Sequence, residues 1–436
     1  MSSPVDLLIK NASQLVTMPA PPDRPRSGGD LDEIGLIPDG ALAISGEKIL
    51  AVGPTTRVLA QVEIGPDTTI LEARGQTVQP GFIDPHTHTV FAGWREAEFS
   101  QRLRGVSYLE ILQAGGGILN TVARTRAASF EDLLASTLAK LDQFLLYGTT
   151  TVEIKSGYGL NRADEIKMLR VMEAASQLHP VEIVPTFLGA HAVPPEFQDR
   201  KERYIDLLTR EILPEVASEK LAQFADVFCE EGVFTVQESE RILSRAQELG
   251  LGAKLHADEL AATGGAELAA RLGAISADHL LKVSRQGIEH LAKRGVVAVL
   301  LPLTSFFLRA AGFAPARTLI QAGVPVALAT DFNPGTSPVQ SQALTIGLAC
   351  LKLGLSPAEA LAATTVNAAH ALRQGDHLGS LTPGKQADVV ILNAPSHEFI
   401  SYRFGTNLVR TVIKKGRIVV FQGRLKLKGR GDGYEP

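Results

Sequence analysis

A chain of 436 residues that is 45% apolar and 21% charged can bury a large core, and its length suits one large domain plus a smaller one. The formal net charge of −4 comes without a basic run, which argues against a nucleic-acid partner. Two cysteines, Cys229 and Cys350, make no disulfide framework, no apolar run approaches the ~20 residues of a membrane span, and Met1-Ser-Ser-Pro-Val-Asp lacks the pattern of a signal peptide, so a cytoplasmic enzyme with no membrane partner is expected.

The chain opens on short β-rich runs, Asp6–Ile9, Ala41–Ile44, Ile49–Val52 and Thr69–Leu71, parted by turns such as Asp39-Gly40 and Ser45-Gly46. Pro21 to Gly35, rich in Pro, Gly and charge, reads as an exposed loop. The chain end resembles the start. Ala387–Leu392 and Thr411–Ile413 read as strands, and Lys415-Gly416-Arg417 turns into Ile418–Val420. Neither end carries enough apolar surface to fold alone, so residues 1–76 and 375–436 are expected to pack together as one small β-sandwich domain.

Between them, residues 77–374 alternate. Eight β-like runs stand out: Gly81–His88, Thr149–Lys155, Glu182–Gly189, Ala225–Glu230, Gly252–His256, Ala274–His279, Val296–Leu301 and Val326–Asp331. Helix signals lie between them. Ser129 caps a run ending near Tyr147-Gly148, Thr235 and Glu238 form a capping box before a stretch closed by Gly250, and Ser284 opens a helix ending at Gly295. Apolar strands alternating with helices imply a parallel sheet, and eight of them imply an α/β fold of the (β/α)8 TIM-barrel type.

Barrels of this type place their chemistry at the C-terminal ends of the strands. Polar residues collect there: His86 and His88 on strand one, Tyr158 past strand two, His191 after strand three, Glu230 and Glu231 on strand four, His256 on strand five, His279 on strand six and Asp331 on strand eight. Strand seven, running into Leu301-Pro302, looks bare. His86 and His88 are two apart, so in a strand both imidazoles share a face. Imidazole and carboxylate suit Zn²⁺ or Fe, and the pair gains force from the strand-five and strand-six histidines and Asp331. Asp84 reads either as a partner to this site or as a turn residue before Pro85. Glu259 follows His256 by three, and a helix beginning there would bring both to one side, where a carboxylate can move protons. The other five histidines, His179, His290, His370, His377 and His397, read as structural or surface residues.

The stretch Val78-Gln-Pro-Gly-Phe-Ile-Asp-Pro-His-Thr-His, with the strand-five and strand-six histidines and the strand-eight Asp, resembles the amidohydrolase superfamily. Phe91-Ala-Gly-Trp-Arg-Glu-Ala-Glu-Phe, Ala114-Gly-Gly-Gly-Ile, Val152-Glu-Ile-Lys-Ser-Gly-Tyr-Gly-Leu, Leu188-Gly-Ala-His-Ala-Val-Pro, His256-Ala-Asp-Glu and Asp331-Phe-Asn-Pro-Gly narrow the likeness to members that open the cyclic amide of 4-imidazolone-5-propanoate, giving N-formimidoyl-L-glutamate in histidine degradation. The resemblance implies one Zn²⁺ or Fe ion per subunit on His86, His88, His256 and Asp331. It implies substrate contacts from Arg95, Tyr158, His191 and Glu259, with Asn333, Gly335 and Thr336 at the product end, and a homodimer. It also implies proton transfer by Glu259 or Asp331 and a hydrogen bond from His279 to the developing oxyanion. Many superfamily members hold two metals on a carbamylated lysine of strand four. Here that strand reads Asp-Val-Phe-Cys-Glu-Glu, which favours one metal, and Lys155 on strand two reads as structural or paired with Glu153. The rival readings are a guanine- or cytosine-type aminohydrolase with the same ligands and a non-catalytic barrel scaffold.

Overall fold

The computed structural model describes residues 5–19, 24–106, 110 and 115–427; Met1 to Pro4, Pro21 to Asp23 of the expected loop and Ala114 lie outside the described residues. The first strands are β1 (Leu7–Val16), β2 (Leu36–Ser45), β3 (Lys48–Pro54), β4 (Thr69–Glu72) and β5 (Thr77–Pro80). The barrel follows as β6 (Phe82–Asp84), β7 (Thr149–Lys155), β8 (Glu182–Ala190), β9 (Phe224–Cys229), β10 (Gly252–Ala257), β11 (Ser276–His279), β12 (Val297–Leu300) and β13 (Val326–Leu328). The chain closes with β14 (Val389–Leu392), β15 (Val409–Lys414), β16 (Arg417–Phe421) and β17 (Arg424–Leu425).

The two chain ends form one nine-stranded sheet, in the order β17-β16-β15-β14-β5-β1-β2-β3 with β4 also on β1. It is antiparallel except where β4 and β5 run beside β1. Leu7, Ile9, Leu42, Ile44, Ile49, Val78, Val389, Ile391 and Ile413 share one core, which unites strands far apart in that order. The sheet therefore folds back on itself, and the expected sandwich is continuous in its hydrogen bonds. The fold-back is tied where the Ile49 amide donates to the Lys385 carbonyl at 3.0 Å and the Ala387 amide to the Glu47 carbonyl at 2.8 Å. Leu8, Ala41, Ala43 and Val58 make a second core under the helix Thr55–Gln61.

The eight barrel strands are parallel and adjacent in chain order from β6 to β13. The helices between them begin where side-chain caps are available: Ser129, Asn161 and Ser284 each accept a backbone N–H, and Thr235 with Glu238 completes the capping box. The seam between β13 and β6 closes just past their C-terminal ends. The Asp331 amide donates to the His86 carbonyl at 3.1 Å and the His88 amide to the Phe332 carbonyl at 2.9 Å. Closure of the barrel thus sets three candidate ligands side by side.

Residues 24–35 correct part of one expectation: Arg24, Gly29, Asp30, Asp32 and Glu33 are exposed, but the segment is anchored at the buried Arg26, Leu31 and Ile34. Leu31 and Ile34 enter the main core, and the Arg26 guanidinium donates to the carbonyls of Pro19 and Glu33. The Arg26 amide donates to Asn367 Oδ1 at 2.8 Å, and Asn367 Nδ2 donates to the Val326 carbonyl at the start of β13. Pro, Gly and charge described the turns of the segment, but two apolar side chains and a satisfied guanidinium decide where it lies.

Candidate metal and active site

His86 and His88 sit on the extension of β6, with both rings inside the barrel mouth and their centroids 5.3 Å apart. Asp331 Oδ1 lies 3.5 Å from His86 Nε2 and 3.4 Å from His88 Nε2. His256, at the end of β10, brings its ring within 4.5 Å of His86. His86, His256 and His279 form one group of possible ligands, and His86, His88 and Asp331 another. Asp331 (φ 53°) and His279 (φ 76°) both hold left-handed backbone, a conformation that costs free energy and aims these side chains inward.

The donors fit a metal ion. His86 Nε2 and His256 Nε2 are buried with no hydrogen-bond partner, as is His88 Nδ1, and orphaned buried nitrogens are rare in folded proteins. The other nitrogens of two of these rings are engaged. His86 Nδ1 meets Asp278 Oδ2 at 2.6 Å, and His256 Nδ1 meets Asp226 Oδ1 at 3.0 Å. A carboxylate on Nδ1 fixes the tautomer that leaves Nε2 as a lone pair, the usual support for a metal-bound histidine. Ligands 2.0–2.1 Å from a tetrahedral ion lie about 3.3 Å apart, close to the Asp331–histidine separations. Burial, with neighbouring positive charge, holds His86 and His88 well below the ordinary histidine range, so both are neutral and able to ligate. Burial opposes charge on His256 as well, but Asp226 outweighs it and raises that pKa. The remaining oxygen of Asp331, Oδ2, accepts from Thr304 Oγ1 at 2.5 Å. Thr304 lies in the short helix Pro302–Phe307 after β12, so strand seven is not bare: it supplies the hydroxyl that orients Asp331.

Asp84 is a partner rather than a free turn residue. It is buried, and it accepts from the Thr330 amide at 3.1 Å and the Thr330 hydroxyl at 2.5 Å, tying β6 to the end of β13. Burial pushes its carboxyl up to about 7, against the pull of these hydrogen bonds.

Glu259 reaches the site, but not on a helix. After β10 the chain bends, Asp258 adopts φ 50°, and the next helix starts only at Gly265. Glu230 and Asp258 hold this bend. The buried Glu230 carboxylate accepts the amides of Glu259, Leu260 and Ala261, and Asp258 accepts those of Thr263 through Ala266. Seven backbone amides are thereby satisfied by two acids, which is why a helix is unnecessary. Glu259 Oε2 lies 3.5 Å from His279 Nε2. Burial, reinforced by Asp331, pushes the Glu259 carboxyl up to about 8, and burial pushes His279 down to about 3.

Arg95 and Glu98 form a largely buried pair, with Nε and Nη2 both donating to Glu98 Oε2 at 2.9 and 2.7 Å. This is no surface ion pair. The Arg95 guanidinium lies against Gly335, where an added Cβ would come within 2.1 Å of Nη1. Asn333 turns inward on its own loop, accepting from the amides of Gly335 and Thr336 and donating to the Asp331 carbonyl and the Thr336 hydroxyl. It builds the turn that carries Gly335. Tyr158 and His191 stand on the other flank, each near His88, with the His191 ring stacked on it at 5.0 Å. His191 Nδ1 lies 3.0 Å from the Gly157 carbonyl, which only accepts, so Nδ1 carries the proton and Nε2 is an acceptor. A cavity of about 650 Å³ is bounded by Trp94, Arg95, Phe99, Phe307 and Pro334, and a second of about 190 Å³ by Glu259, His279 and Thr304. The five remaining histidines stay outside the two ligand groups. Sequence reasoning missed Asp226, Asp278 and Thr304. Each stands within a quoted strand or next to one, and the signal available was a buried acid or hydroxyl on a strand that otherwise reads apolar.

The fold and these donors define a hydrolase barrel whose mouth could hold a metal ion, and comparison with known proteins agrees on the fold and the class. The model of the amidohydrolase family matches residues 108–420. The chain is 54% identical to an imidazolonepropionase of Symbiobacterium thermophilum over 97% of its own length and 99% of that protein. It is 51% identical to one from Shouchella clausii, covering 96% and 94%, and 50% identical to one from Geobacillus kaustophilus, covering 96% and 99%. Among solved structures, an adenosine deaminase from Xanthomonas campestris with bound zinc aligns with a TM-score of 0.71 at 22% identity, covering 98% of this chain and 95% of that one. The guanine deaminase of E. coli aligns with a TM-score of 0.71 at 16% identity, over 95% of this chain and 99% of that one; at such identity both show the fold alone. The chain belongs to the amidohydrolases, and within them to the imidazolonepropionase family. Among the described residues, no helix is long and apolar enough to cross a membrane.

Proposed function

We propose that the chain hydrolyses the cyclic amide C–N bond of 4-imidazolone-5-propanoate, releasing N-formimidoyl-L-glutamate, with a single Zn²⁺ or Fe ion on His86, His88, His256 and Asp331. The observation that carries this is that His86 and His88 face Asp331 Oδ1 at 3.5 and 3.4 Å, while His86 Nε2 and His256 Nε2 are buried without a hydrogen-bond partner on rings 4.5 Å apart. A cation there supplies Lewis acidity and an acidified water.

The protein's own residues supply the rest. Arg95 keeps its edge away from Glu98 for the propionate carboxylate, and the Glu98 pair fixes the plane of the guanidinium. Tyr158, whose burial keeps the phenol protonated, donates a hydrogen bond. His191 Nε2 accepts, which suits a ring N–H better than a carboxylate. Water adds to the ring carbonyl carbon. Glu259 or Asp331 takes its proton and delivers it to the leaving ring nitrogen, while His279, held neutral, donates to the tetrahedral oxyanion. One ion rather than two fits the fourth barrel strand, Phe224–Cys229, which carries no lysine to bridge a second ion.

Arg95→Ala tests the carboxylate contact. The expected result is a rise in KM for the propanoate substrate of about 100-fold, the loss of a charge-assisted contact, with metal content unchanged. An unchanged KM would remove the propionate from this end of the site and favour an aminohydrolase reading.

A further inference from the structure

Barrel interiors are normally filled by layers of branched apolar side chains. Beneath the ligands here lies a charged layer instead: Glu153 and Lys155 on β7, Asp226 on β9, Lys254 on β10 and Asp278 on β11, all buried. Lys155 Nζ stands at its centre, 2.7 Å from Glu153 Oε1, 2.7 Å from Asp226 Oδ2 and 3.8 Å from Asp278 Oδ2. Asp226 and Asp278 are the acids that engage the Nδ1 atoms of His256 and His86. Asp226 Oδ1 also accepts the His256 amide at 3.2 Å, so that carboxylate is fixed from both ends. The reaction scheme above gives Lys155 no part. Three buried carboxylates around one point cost several kcal/mol each unless compensated, and among the described residues Lys155 is the only lysine or arginine within 4 Å of them.

We propose that Lys155 is a positioning residue for the metal: one ammonium holds Asp226 by a hydrogen bond and Asp278 by charge at 3.8 Å, and through them orients the rings of His256 and His86, whose Nε2 atoms are left free for an ion. Two histidines from non-adjacent strands are thereby oriented by a single side chain on a third. The geometry separates this from simple charge balance. Lys254 is equally buried in the same layer and its charge also favours the ionised forms of Asp278 and Glu153, but it donates to the Ala371 carbonyl, at 3.3 Å, and comes within 4 Å of none of the three acids. The proposal rests on the metal-site reading above.

The test is zinc affinity of the full chain stripped of metal, measured by competition with a chromogenic chelator, alongside the visible spectrum of the Co²⁺-loaded protein. Wild type binding about one zinc supports the metal-site reading, and failure to bind overturns that reading and this proposal together. In Lys155→Met the zinc dissociation constant is expected to rise about 10–100-fold, the range for loss of outer-shell support, with an altered Co²⁺ spectrum. Lys254→Met is expected to lose thermal stability and keep its zinc affinity. If Lys155→Met does not fold, Lys155→Met with Glu153→Gln removes one carboxylate that touches no ligand side chain, and the same weakening is expected. Unchanged affinity and spectrum in the folded variant, equal weakening in Lys254→Met, or failure of both Lys155 variants to fold with zinc present would each overturn the proposal and assign Lys155 to the fold alone.

Discussion

At the scale of single residues, the site works by pushing neighbouring groups in opposite directions. Burial raises Glu259 to about 8 and lowers His279 to about 3, so an acid that holds its proton stands 3.5 Å from an imidazole that refuses one. A general base acts when ionised, so activity falls as pH drops through its pKa. The acidic limb of kcat/KM is therefore expected above the ordinary carboxylate range, at or below about 8, because the ion proposed at Asp331 would relieve part of the shift. Glu259→Gln is expected to lower kcat by about 100- to 10,000-fold with metal retained. Normal turnover in that variant assigns the base to Asp331. Asp84 gives a stability prediction of defined sign. Its folded pKa, about 7, lies above the unfolded value, so the native state binds the extra proton and stability falls as pH rises from about 4 to about 7. Asp84→Asn removes this slope, so its melting temperature relative to wild type is expected to climb across that window; a constant difference would contradict it. His86, His88, His256, His279 and Asp331 were legible as strand-end residues, and Glu259 only as a neighbour of His256 on a helix that does not form there. Asp226, Asp278 and Thr304 were not, because one-dimensional spacing does not reveal which acid faces which ring across two strands.

At the scale of elements, strands and caps were readable and irregular segments were not. Apolar runs bounded by turn residues marked all eight barrel strands, and Ser129, Thr235 and Ser284 cap the helices that their chemistry announces. The bend after β10 escaped notice because its order comes from Glu230, on a different strand. Residues 24–35 escaped because composition speaks of turns and says nothing of two side chains in a distant core. Leu31 offers the check. Leu31→Ala is expected to cost about 2–4 kcal/mol in a denaturant titration, as for a buried leucine, with zinc content intact. A change within about 0.5 kcal/mol is the behaviour of an exposed loop and would contradict the placement. Lys140 shows the same coupling between elements: its ammonium donates to the carbonyls of Thr89 and Phe91 at 3.1 and 2.8 Å, pinning the segment that runs from His88 toward Arg95.

At the scale of the whole molecule, the chain ends build one folded sheet, the middle builds a barrel, and the barrel seam closes at the candidate ligands. Metal and fold are therefore linked. An ion bound only by the native state stabilises it by mass action, so chelation is expected to lower the melting temperature and zinc to restore it. The pairing of the chain ends followed from the small apolar surface of each, but its form as a single sheet depended on register that no local pattern carries. The most direct measurement of catalysis is loss of ring absorbance from freshly made 4-imidazolone-5-propanoate incubated with metal-replete protein, with N-formimidoyl-L-glutamate identified as product. Turnover that disappears on chelation and returns with added metal is the expected result. A folded, metal-loaded chain that leaves the ring intact would contradict it.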